Sequence, residues 1–315
     1  MRGIPSHGVM LVPMYLDRLR AGSVSPWEEA EVVDQHGAIT VLDARHALGQ
    51  LTGDQAMGLA VERSREYGVG VSVVRHAFHF GGAYRYALAA ARAGCIGIAA
   101  ANTRPLMPAP GGAEAVVGNN PLAIAAPVAD GVEPIVLDMA LSEAAVGKIR
   151  LAAQEGREIP VTWATDAQGR PTTDPEAAIA GLLLPIGLHK GYGLALMVDV
   201  LTGVLAGGGF GQRVNGLYAD VAVPSDAAHL FVALDLAAFG SVGSFHERVA
   251  ALAAEVTGAA RAPSVDRLYL PGEQAAERRA AAARDGVTLD PGTVDALRAA
   301  GVAWPESSTQ EVTDE

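Results

Sequence analysis

The chain has 315 residues, of which 50% are hydrophobic and 18% charged, so it can build a sizeable core in one large domain or two smaller ones. The formal net charge is −12 and the basic residues are scattered, which argues against nucleic acids and anionic membranes as partners. Cys95 is the only cysteine, so no intrachain disulfide can form. A cytoplasmic protein is therefore expected.

Hydrophobic periodicity and helix-breaking residues predict an alternation of helices and strands. Helices are predicted over residues 9–19, 49–67, 82–93, 142–156 (with Ser142 as N-cap), 191–205 and 244–257. Strands are predicted over residues 38–43, 69–75, 96–101, 122–127, 134–138, around Val221 and Val223, and over 230–234. Residues 102–121, which are rich in proline and glycine, are predicted to form a long loop. The alternation predicts an α/β fold, or a mixed α+β fold.

Several familiar motifs are missing from the sequence. The nearest match to the G-x-G-x-x-G turn of a Rossmann nucleotide site is Gly207–Gly211, but Gln212 occupies the last glycine position and the run follows a helix. There is also no G-x-x-x-x-G-K-[ST], H-E-x-x-H, C-x-x-C or G-x-S-x-G pattern. Metal-dependent, phosphoryl-transfer and esterase chemistry are therefore not favoured.

Two histidine segments could carry proton chemistry. Ser6-His7 immediately precedes a predicted helix, and a histidine with a pKa near ~6.5 can exchange a proton close to neutral pH. A helix-capping histidine is the alternative. His79-Phe80-Gly81-Gly82-Ala83 lies between a predicted strand and a helix, where small residues and exposed amides let a phosphate or carboxylate approach. The alternative there is a simple turn with capping glycines.

Three further segments have residue types that suit ligand binding. The first holds Asn119 and Asn120 in a glycine-rich loop, the second places Asp138 at a strand end, and the third places Lys190 between glycines before an apolar helix. A strand-end acid can bind ribose hydroxyls, and a lysine can bind a carboxylate or pyrophosphate. The alternatives are a long turn, a capping aspartate and a solvated loop lysine.

Together and in this order, the segments resemble the malate/L-lactate dehydrogenase family of the second type. That family includes ureidoglycolate, sulfolactate and 2,3-diketogulonate oxidoreductases and the piperideine-2-carboxylate reductases. The resemblance covers most of residues 1–211. It is carried by RGIPSHGV, VLDARHALGQ, HFGGAYRYALAAARAGCIGIAAANT, PAPGGAEAVVGNNPLAIAAP, VLDMALSEAAVGKI, IPVTWATDAQGRPTTDP, LLLPIGLHKGYGLALMVDVLTGVLAGGGFG and, near the end, LYLPGE.

The resemblance implies a homodimer that binds NAD or NADP on a non-Rossmann fold with a mixed sheet. A cofactor-binding domain is expected over residues 71–229, a helix-rich scaffold over 1–70 and 230–305, and a disordered tail over 306–315. His7 is implied as the proton donor and acceptor with Ser6 as its relay, and His79 as a second catalytic histidine. The implied cofactor contacts are His79, Phe80, Gly81, Gly82, Ala83, Thr103, Leu137, Asp138, Met139, His189, Lys190, Leu270, Pro271, Gly272 and Glu273, and the implied substrate contacts are Asn119, Asn120 and Lys190.

Three departures from the family pattern bear on the substrate. The family usually carries an arginine that holds the substrate carboxylate four residues after His7, where this chain has Leu11. Lys190 or Arg104 are alternative cations. Asn119 stands where a threonine is usual, and the helices that normally precede Arg-Gly-Ile are missing. The expected reaction is hydride transfer between NAD(P)H and a small 2-oxo or 2-hydroxy acid. A cyclic-imine reductase and a non-catalytic dinucleotide-binding relative are the alternatives.

Overall fold

A seven-stranded mixed sheet forms the centre of the fold. The computed structural model describes residues 8–129 and 131–303. Its strands are β1 (Glu31–His36), β2 (Ile39–Asp43), β3 (Val69–Ala77), β4 (Cys95–Ala101), β7 (Leu122–Ala126), β8 (Ile135–Met139) and β9 (Ala227–Asp235), while β5 (Met107–Pro108) and β6 (Ala115–Val117) form a separate pair. The strand order is β1-β2-β3-β9-β4-β7-β8, and the β2–β3 pair alone in this sheet is parallel.

Helices cover both faces of the sheet. Successive side chains of a strand point to opposite faces, so each strand contributes to two separate cores. The helices are α1 (Val12–Ala21), α2 (Gly49–Tyr67), α3 (Tyr84–Arg92), α4 (Val146–Gln154), α5 (Pro175–Ile179), α6 (His189–Asp199), α7 (Val242–Gly258), α8 (Glu273–Asp285) and α9 (Pro291–Ala299). Val74, Ala99 and Phe231 belong to the core that includes α2 and α3, whereas Val73, Ala100 and Leu230 belong to the core that includes α4, α5 and α6.

The packing of α2 on β3 depends on a glycine. A Cβ placed on Gly70 would lie 1.8 Å from the Ala60 carbonyl oxygen, so no other residue lets the helix approach the strand this closely. The predicted alternation of helices and strands, and hence the mixed α/β class, is confirmed. The helix predicted over 49–67 has the bounds that the sequence indicated, and Gly68 ends it in a left-handed conformation (φ 78°).

Two local predictions were wrong, and one strand was missed. The helix predicted over 142–156 begins only at Val146, because Ser142 is taken up by a bridge to Pro185 and its hydroxyl donates to the Ala144 carbonyl. Residues around Val221 and Val223 form turns and not strands. Strand β1 was not predicted, since all its residues are exposed and show no apolar alternation.

The sheet draws strands from all parts of the predicted domain scheme. β1 and β2 come from the segment 1–70 and β4, β7 and β8 from 71–229, whereas β3 crosses the boundary after residue 70 and β9 the boundary after residue 229. The division into a cofactor domain and a helix-rich scaffold stays a prediction. Among the described residues, no helix is both long and apolar enough to cross a bilayer.

Candidate functional site

The predicted chemical segments come together at one edge of the sheet. Asp43 pairs with Arg75, Ala77 with Ala227, Ala101 with His229, and Leu122 with both Ala100 and Met139. These pairings bring the ends of β2, β3, β4 and β8 and the starts of β7 and β9 to the same side. The loops that hold His79, Thr103 and Asn119 therefore all leave the sheet at this edge, which we call the site edge.

The backbone is strained at the site edge. Among the described residues outside glycine, a positive φ occurs at Arg45, His46, His76, Leu188 and Asp226. The first two follow β2, His76 is in β3 near its end, Asp226 precedes β9, and Leu188 precedes α6. Such conformations cost about 1–3 kcal/mol each and concentrate at functional sites.

His79 is held by a hydrogen-bond chain. Its Nδ1 lies 2.7 Å from the Tyr15 hydroxyl, and the Gln50 amide nitrogen donates to the same hydroxyl over 2.9 Å. Burial raises the pKa of Tyr15 to about 12, with nearby Tyr218 adding to the rise and the Gln50 hydrogen bond opposing it. Tyr15 therefore keeps its proton across the physiological range. Sequence analysis missed both residues, although Gln50 belongs to the VLDARHALGQ stretch.

A buried aromatic cluster supports His79 from the sheet. The ring of His229 is 1% exposed and stacks on Phe80 with 4.5 Å between centroids. Phe80 stacks in turn on Tyr86, whose hydroxyl donates to the Phe80 carbonyl over 2.5 Å. Burial lowers the pKa of His229 to about 3, and neighbouring His79 contributes to the lowering. Phe80 was predicted to contact the cofactor. Its side chain is 2% exposed and belongs to the core.

The two adjacent asparagines have different environments. The buried Asn120 side chain accepts from the Thr103 amide (2.9 Å) and donates to the Ala195 carbonyl (2.8 Å), which joins the β4 loop to α6. Asn119 is partly exposed and accepts from the Thr103 hydroxyl (3.0 Å). Gly118 allows this arrangement, because a Cβ there would lie 2.3 Å from both Asn120 Oδ1 and Thr103 Oγ1. Asn120 is therefore placed to orient the loop, and Asn119 has the more accessible side chain.

Leu141 links three of the predicted segments. Its amide donates to the Asn119 carbonyl (2.8 Å), and its carbonyl accepts from the Ile186 amide (2.9 Å). Leu141 follows β8, on which Leu137 and Asp138 are exposed and Met139 is partly exposed. Ile186 lies three residues before the start of α6. The β8 segment, the asparagine loop and the start of α6 are thus direct neighbours.

The start of α6 suits an anion. His189 and Lys190 are its first two residues, and both are exposed. The first amides of a helix carry partial positive charge, although the Lys190 amide already donates to the Gly187 carbonyl (3.3 Å). The lysine and histidine side chains add donors beside them. Leu188, which precedes them with φ 55°, sets the direction of the chain as it enters the helix.

The Leu270–Glu273 turn packs against β8. The Val136 amide donates to the Pro271 carbonyl (2.9 Å), so the turn continues the sheet beyond its last strand. The Glu273 carboxylate accepts from the Leu270 amide (3.0 Å) and from Arg267. Two segments predicted to contact the cofactor are therefore adjacent, although the Glu273 carboxylate is already bonded within the turn.

Two arginines contact one loop near the site edge. Arg18, which is 0% exposed, donates to the carbonyls of Gly216, Leu217 and Val223, each over 3.0 Å. A Cβ on Gly216 would lie 2.5 Å from Arg104 Cδ, so the exposed Arg104 side chain crosses the same loop. Among the described residues, the Arg104 guanidinium has no ion pair. Leu11 is 2% exposed and part of the core.

His46 and His76 form a pair of neighbouring titratable side chains at the site edge. The Nδ1 of His76 lies 2.9 Å from Asp43 Oδ2, which also accepts from Arg75 Nε (3.1 Å). The ring centroids of His46 and His76 are 5.8 Å apart. Burial lowers the pKa of His46, and His76 lowers it further. Their positive φ angles gave no signal in the sequence, because asparagine or glycine is the usual residue in that conformation.

Ser6 and His7 lie outside the described residues. Gly8, which follows His7, accepts from the Leu11 amide (3.1 Å) at the turn that leads into α1. Helix α1 in turn carries Tyr15, the hydrogen-bond partner of His79. The proposed catalytic role of His7 therefore stays a prediction.

Comparison with known proteins gives consistent matches along nearly the whole chain. The family model described as malate/L-lactate dehydrogenase matches residues 1–298. The malate dehydrogenase of Pyrococcus horikoshii is 35% identical over 282 residues, which are 87% of this chain and 77% of that protein. The ureidoglycolate dehydrogenase (NAD(+)) of Escherichia coli K12 is 35% identical over 288 residues, 91% of this chain and 82% of that protein.

The fold agrees as well. The structure of sulfolactate dehydrogenase from Methanocaldococcus jannaschii superposes with a TM-score of 0.89 at 34% identity, over 95% of this chain and 85% of that one. Relatives named for NADP(+) are found beside those named for NAD(+). The resemblance seen in the sequence is thereby confirmed, and the chain belongs to the malate/L-lactate dehydrogenase family.

Proposed function

We propose that this protein is an NAD(P)-dependent oxidoreductase that transfers hydride between NAD(P)H and a small 2-oxo or 2-hydroxy acid. The observation that carries the proposal is the convergence of the family's sequence segments on one strained sheet edge, where the Thr103 hydroxyl donates to Asn119 and the Leu141 backbone links Asn119 to the segment before α6. Relatives named as malate, sulfolactate and ureidoglycolate dehydrogenases support the substrate class.

The residues at the site edge fit a dinucleotide. The first amides of α6 together with His189 and Lys190 suit its pyrophosphate. Asp138 on β8 suits a ribose, and the Leu270–Glu273 turn lies directly beside that strand. When bound, the nicotinamide supplies or takes up the hydride. Thr103 and the Gly81-Gly82-Ala83 backbone complete the proposed cofactor contacts, with either NAD or NADP as the ligand.

The substrate carboxylate needs a cation, which we assign to Arg104. Leu11 is apolar and buried, whereas Arg104 is exposed, has no ion pair among the described residues and follows Thr103, the partner of Asn119. A guanidinium binds a carboxylate through two parallel hydrogen bonds. Asn119 is the proposed second substrate contact, and Lys190 is assigned to the cofactor pyrophosphate before the substrate.

His7 is the proposed proton donor and acceptor, with Ser6 beside it. The direct test mixes the purified protein with NADH or NADPH and a panel of 2-oxo acids, and follows absorbance at the nicotinamide band. Turnover of at least one 2-oxo acid is expected, and His7→Ala should lower kcat by about 10²-fold or more. Full activity of His7→Ala would remove its assigned role.

A cyclic-imine reductase is the second candidate, and Leu11 in place of the family's arginine favours it. Adding piperideine- and pyrroline-2-carboxylate to the substrate panel separates the two activities. Binding of NAD(P)H, detected by fluorescence, with turnover of no substrate would instead identify a dinucleotide-binding relative without catalysis.

We also propose that the protein is a cytoplasmic homodimer. The outer side of α6 and the π-helical turn that follows it (Val200–Val204) exposes an apolar stripe at helical spacing, formed by Met197, Val200, Leu201, Val204 and Leu205. An apolar patch of this kind is typical of a protein–protein contact. Sedimentation velocity should show a dimer, and Leu201→Lys should shift it towards the monomer.

A further inference from the structure

We infer that Asp199, the last residue of α6, is a positioning residue that holds the loop beginning at Thr103 and Arg104 against that helix. We call this loop the substrate loop. The Asp199 side chain is 5% exposed, so it acts through two neighbours, Asn102 and Asn120, and not by contact with a ligand. The hydrogen-bond network follows from this chain's own contacts, whereas its effect on the substrate rests on the proposed function.

The Asp199 carboxylate is surrounded by N–H donors. Asn102 Nδ2 donates to Asp199 Oδ1 over 3.1 Å. The Asn120 side chain and the Gly211 backbone amide also donate to the carboxylate, and these three hydrogen bonds oppose the rise in its pKa that burial causes. Among the described residues, no arginine, lysine or histidine forms an ion pair with Asp199. The surroundings therefore require a side chain that only accepts, which an ionised carboxylate does and an amide does not.

Asn102 connects Asp199 to the end of β4 and the start of β9. Its Oδ1 accepts from the Ala228 amide (2.8 Å), and its nitrogen donates to the Gly209 carbonyl (2.8 Å) as well as to Asp199. These backbone groups fix the orientation of the amide, because turning it over would set its nitrogen against the Ala228 N–H. Gly203, in the helical turn after α6, leaves room for this contact, since a Cβ there would lie 2.7 Å from Asn102 Nδ2.

Asn120 connects Asp199 to the substrate loop. Its Oδ1 accepts from the Thr103 amide (2.9 Å) and its nitrogen donates to the Ala195 carbonyl (2.8 Å), so backbone groups fix its orientation in the same way. The amide nitrogen carries two hydrogens, and the second serves the bond to Asp199. Loss of the acceptor at Asp199 should therefore loosen Asn120, then the Thr103 amide, and finally Arg104, to which the proposed function assigns the substrate carboxylate.

Asp199→Asn tests the inference, because it keeps the shape of the side chain but replaces one acceptor oxygen with a donor. Without any ligand, hydrogen exchange of the Thr103 amide, measured by NMR relative to the amides of β9, should become about 10-fold faster or more. In turnover, KM for the 2-oxo acid should rise about 10-fold. The Kd of NAD(P)H, measured by fluorescence, should change by less than about twofold, because the start of α6 lies about 15 Å along the helix from Asp199.

Thr202→Val is the matched control for a lost buried hydrogen bond. Thr202 is 0% exposed and its hydroxyl donates to the Val198 carbonyl one turn earlier (2.6 Å), so this variant should lose stability but keep KM and the relative exchange of Thr103. Asp199→Ser repeats the test with a hydroxyl that cannot replace both acceptor oxygens, and the same changes are expected.

Two results would overturn the inference. One is an unchanged KM or an unchanged Thr103 exchange in Asp199→Asn and Asp199→Ser, and the other is an equal change in Thr202→Val. If Thr103 exchange becomes faster as inferred but the unmodified protein turns over no 2-oxo acid, the proposed function fails and the positioning of the substrate loop by Asp199 stands.

Discussion

Burial of neutral His229 should make the protein lose stability as the pH falls below 7. In the folded state its ring lies between Phe80 and Phe231, and its Nδ1 has no hydrogen-bond partner among the described residues. Burial lowers the pKa to about 3, whereas the unfolded chain should titrate near ~6.5. Between these values the unfolded state binds more protons than the folded state, so stability rises with pH.

The size of the effect follows from the two pKa values. At pH 7 the unfolded histidine is mostly neutral and the penalty is small. At pH 5 it is almost fully charged while the folded one remains neutral, which lowers the free energy of unfolding by about 2 kcal/mol relative to pH 7. The loss continues towards pH 3 and then levels off. The stability that depends on neutral His229 is therefore present above pH ~6.5 and is lost as the pH falls below that value.

Urea unfolding at pH 7, 6 and 5 tests this, at one protein concentration because association also affects stability. His229→Gln removes the titrating ring, so its free energy of unfolding should fall about 2 kcal/mol less than that of the unmodified protein between pH 7 and 5. His36→Gln is the control, because His36 is exposed on β1. Equal pH slopes for His229→Gln and the unmodified protein would refute the reasoning.

Three further predictions concern the loop glycine Gly118 and the arginines Arg18 and Arg104. Gly118→Ala should lower the free energy of unfolding, measured in urea, by about 1–3 kcal/mol, because its Cβ would lie 2.3 Å from Thr103 Oγ1. Gly58→Ala in α2 is the control, and it should be neutral or stabilising because its Cβ would meet nothing within 4 Å. Arg18→Met leaves three loop carbonyls unpaired and should cost about 3 kcal/mol or more, with faster hydrogen exchange in the loop that Arg18 holds. Arg104→Ala should raise KM for 2-oxo acids about 10-fold or more with little change in NAD(P)H affinity, and an unchanged KM would remove Arg104 from the substrate site.

How well the sequence predicted each element depended on how local its determinants are. Helix α2 was predicted with correct bounds because its periodicity and Gly68 are local signals. Strand β1 was missed because an exposed edge strand needs no apolar face. The late start of α4 follows from the bridge between Ser142 and Pro185, which are 43 positions apart. No capping signal can reveal such a contact.

The candidate site shows the same limit. The resemblance identified the segments that meet at the site edge, but it could not separate Asn119 from Asn120, because their difference lies in contacts with Thr103 and Ala195. Tyr15 contacts His79 across 64 residues of sequence, so the pattern around each residue alone gives no sign of the pairing. Sequence motifs therefore found the loops, and the structure was needed to assign the side chains within them.

The position of β9 has a consequence for how the chain folds. This strand comes after residue 226, yet it lies between β3 and β4 and hydrogen-bonds to both. During synthesis the edges of β3 and β4 that pair with β9 stay unpaired until residues 227–235 have left the ribosome. Such long-range closure slows folding and exposes aggregation-prone edges. A nascent chain that stops before Ala227 should remain dependent on chaperones, although it carries nearly every segment of the candidate site.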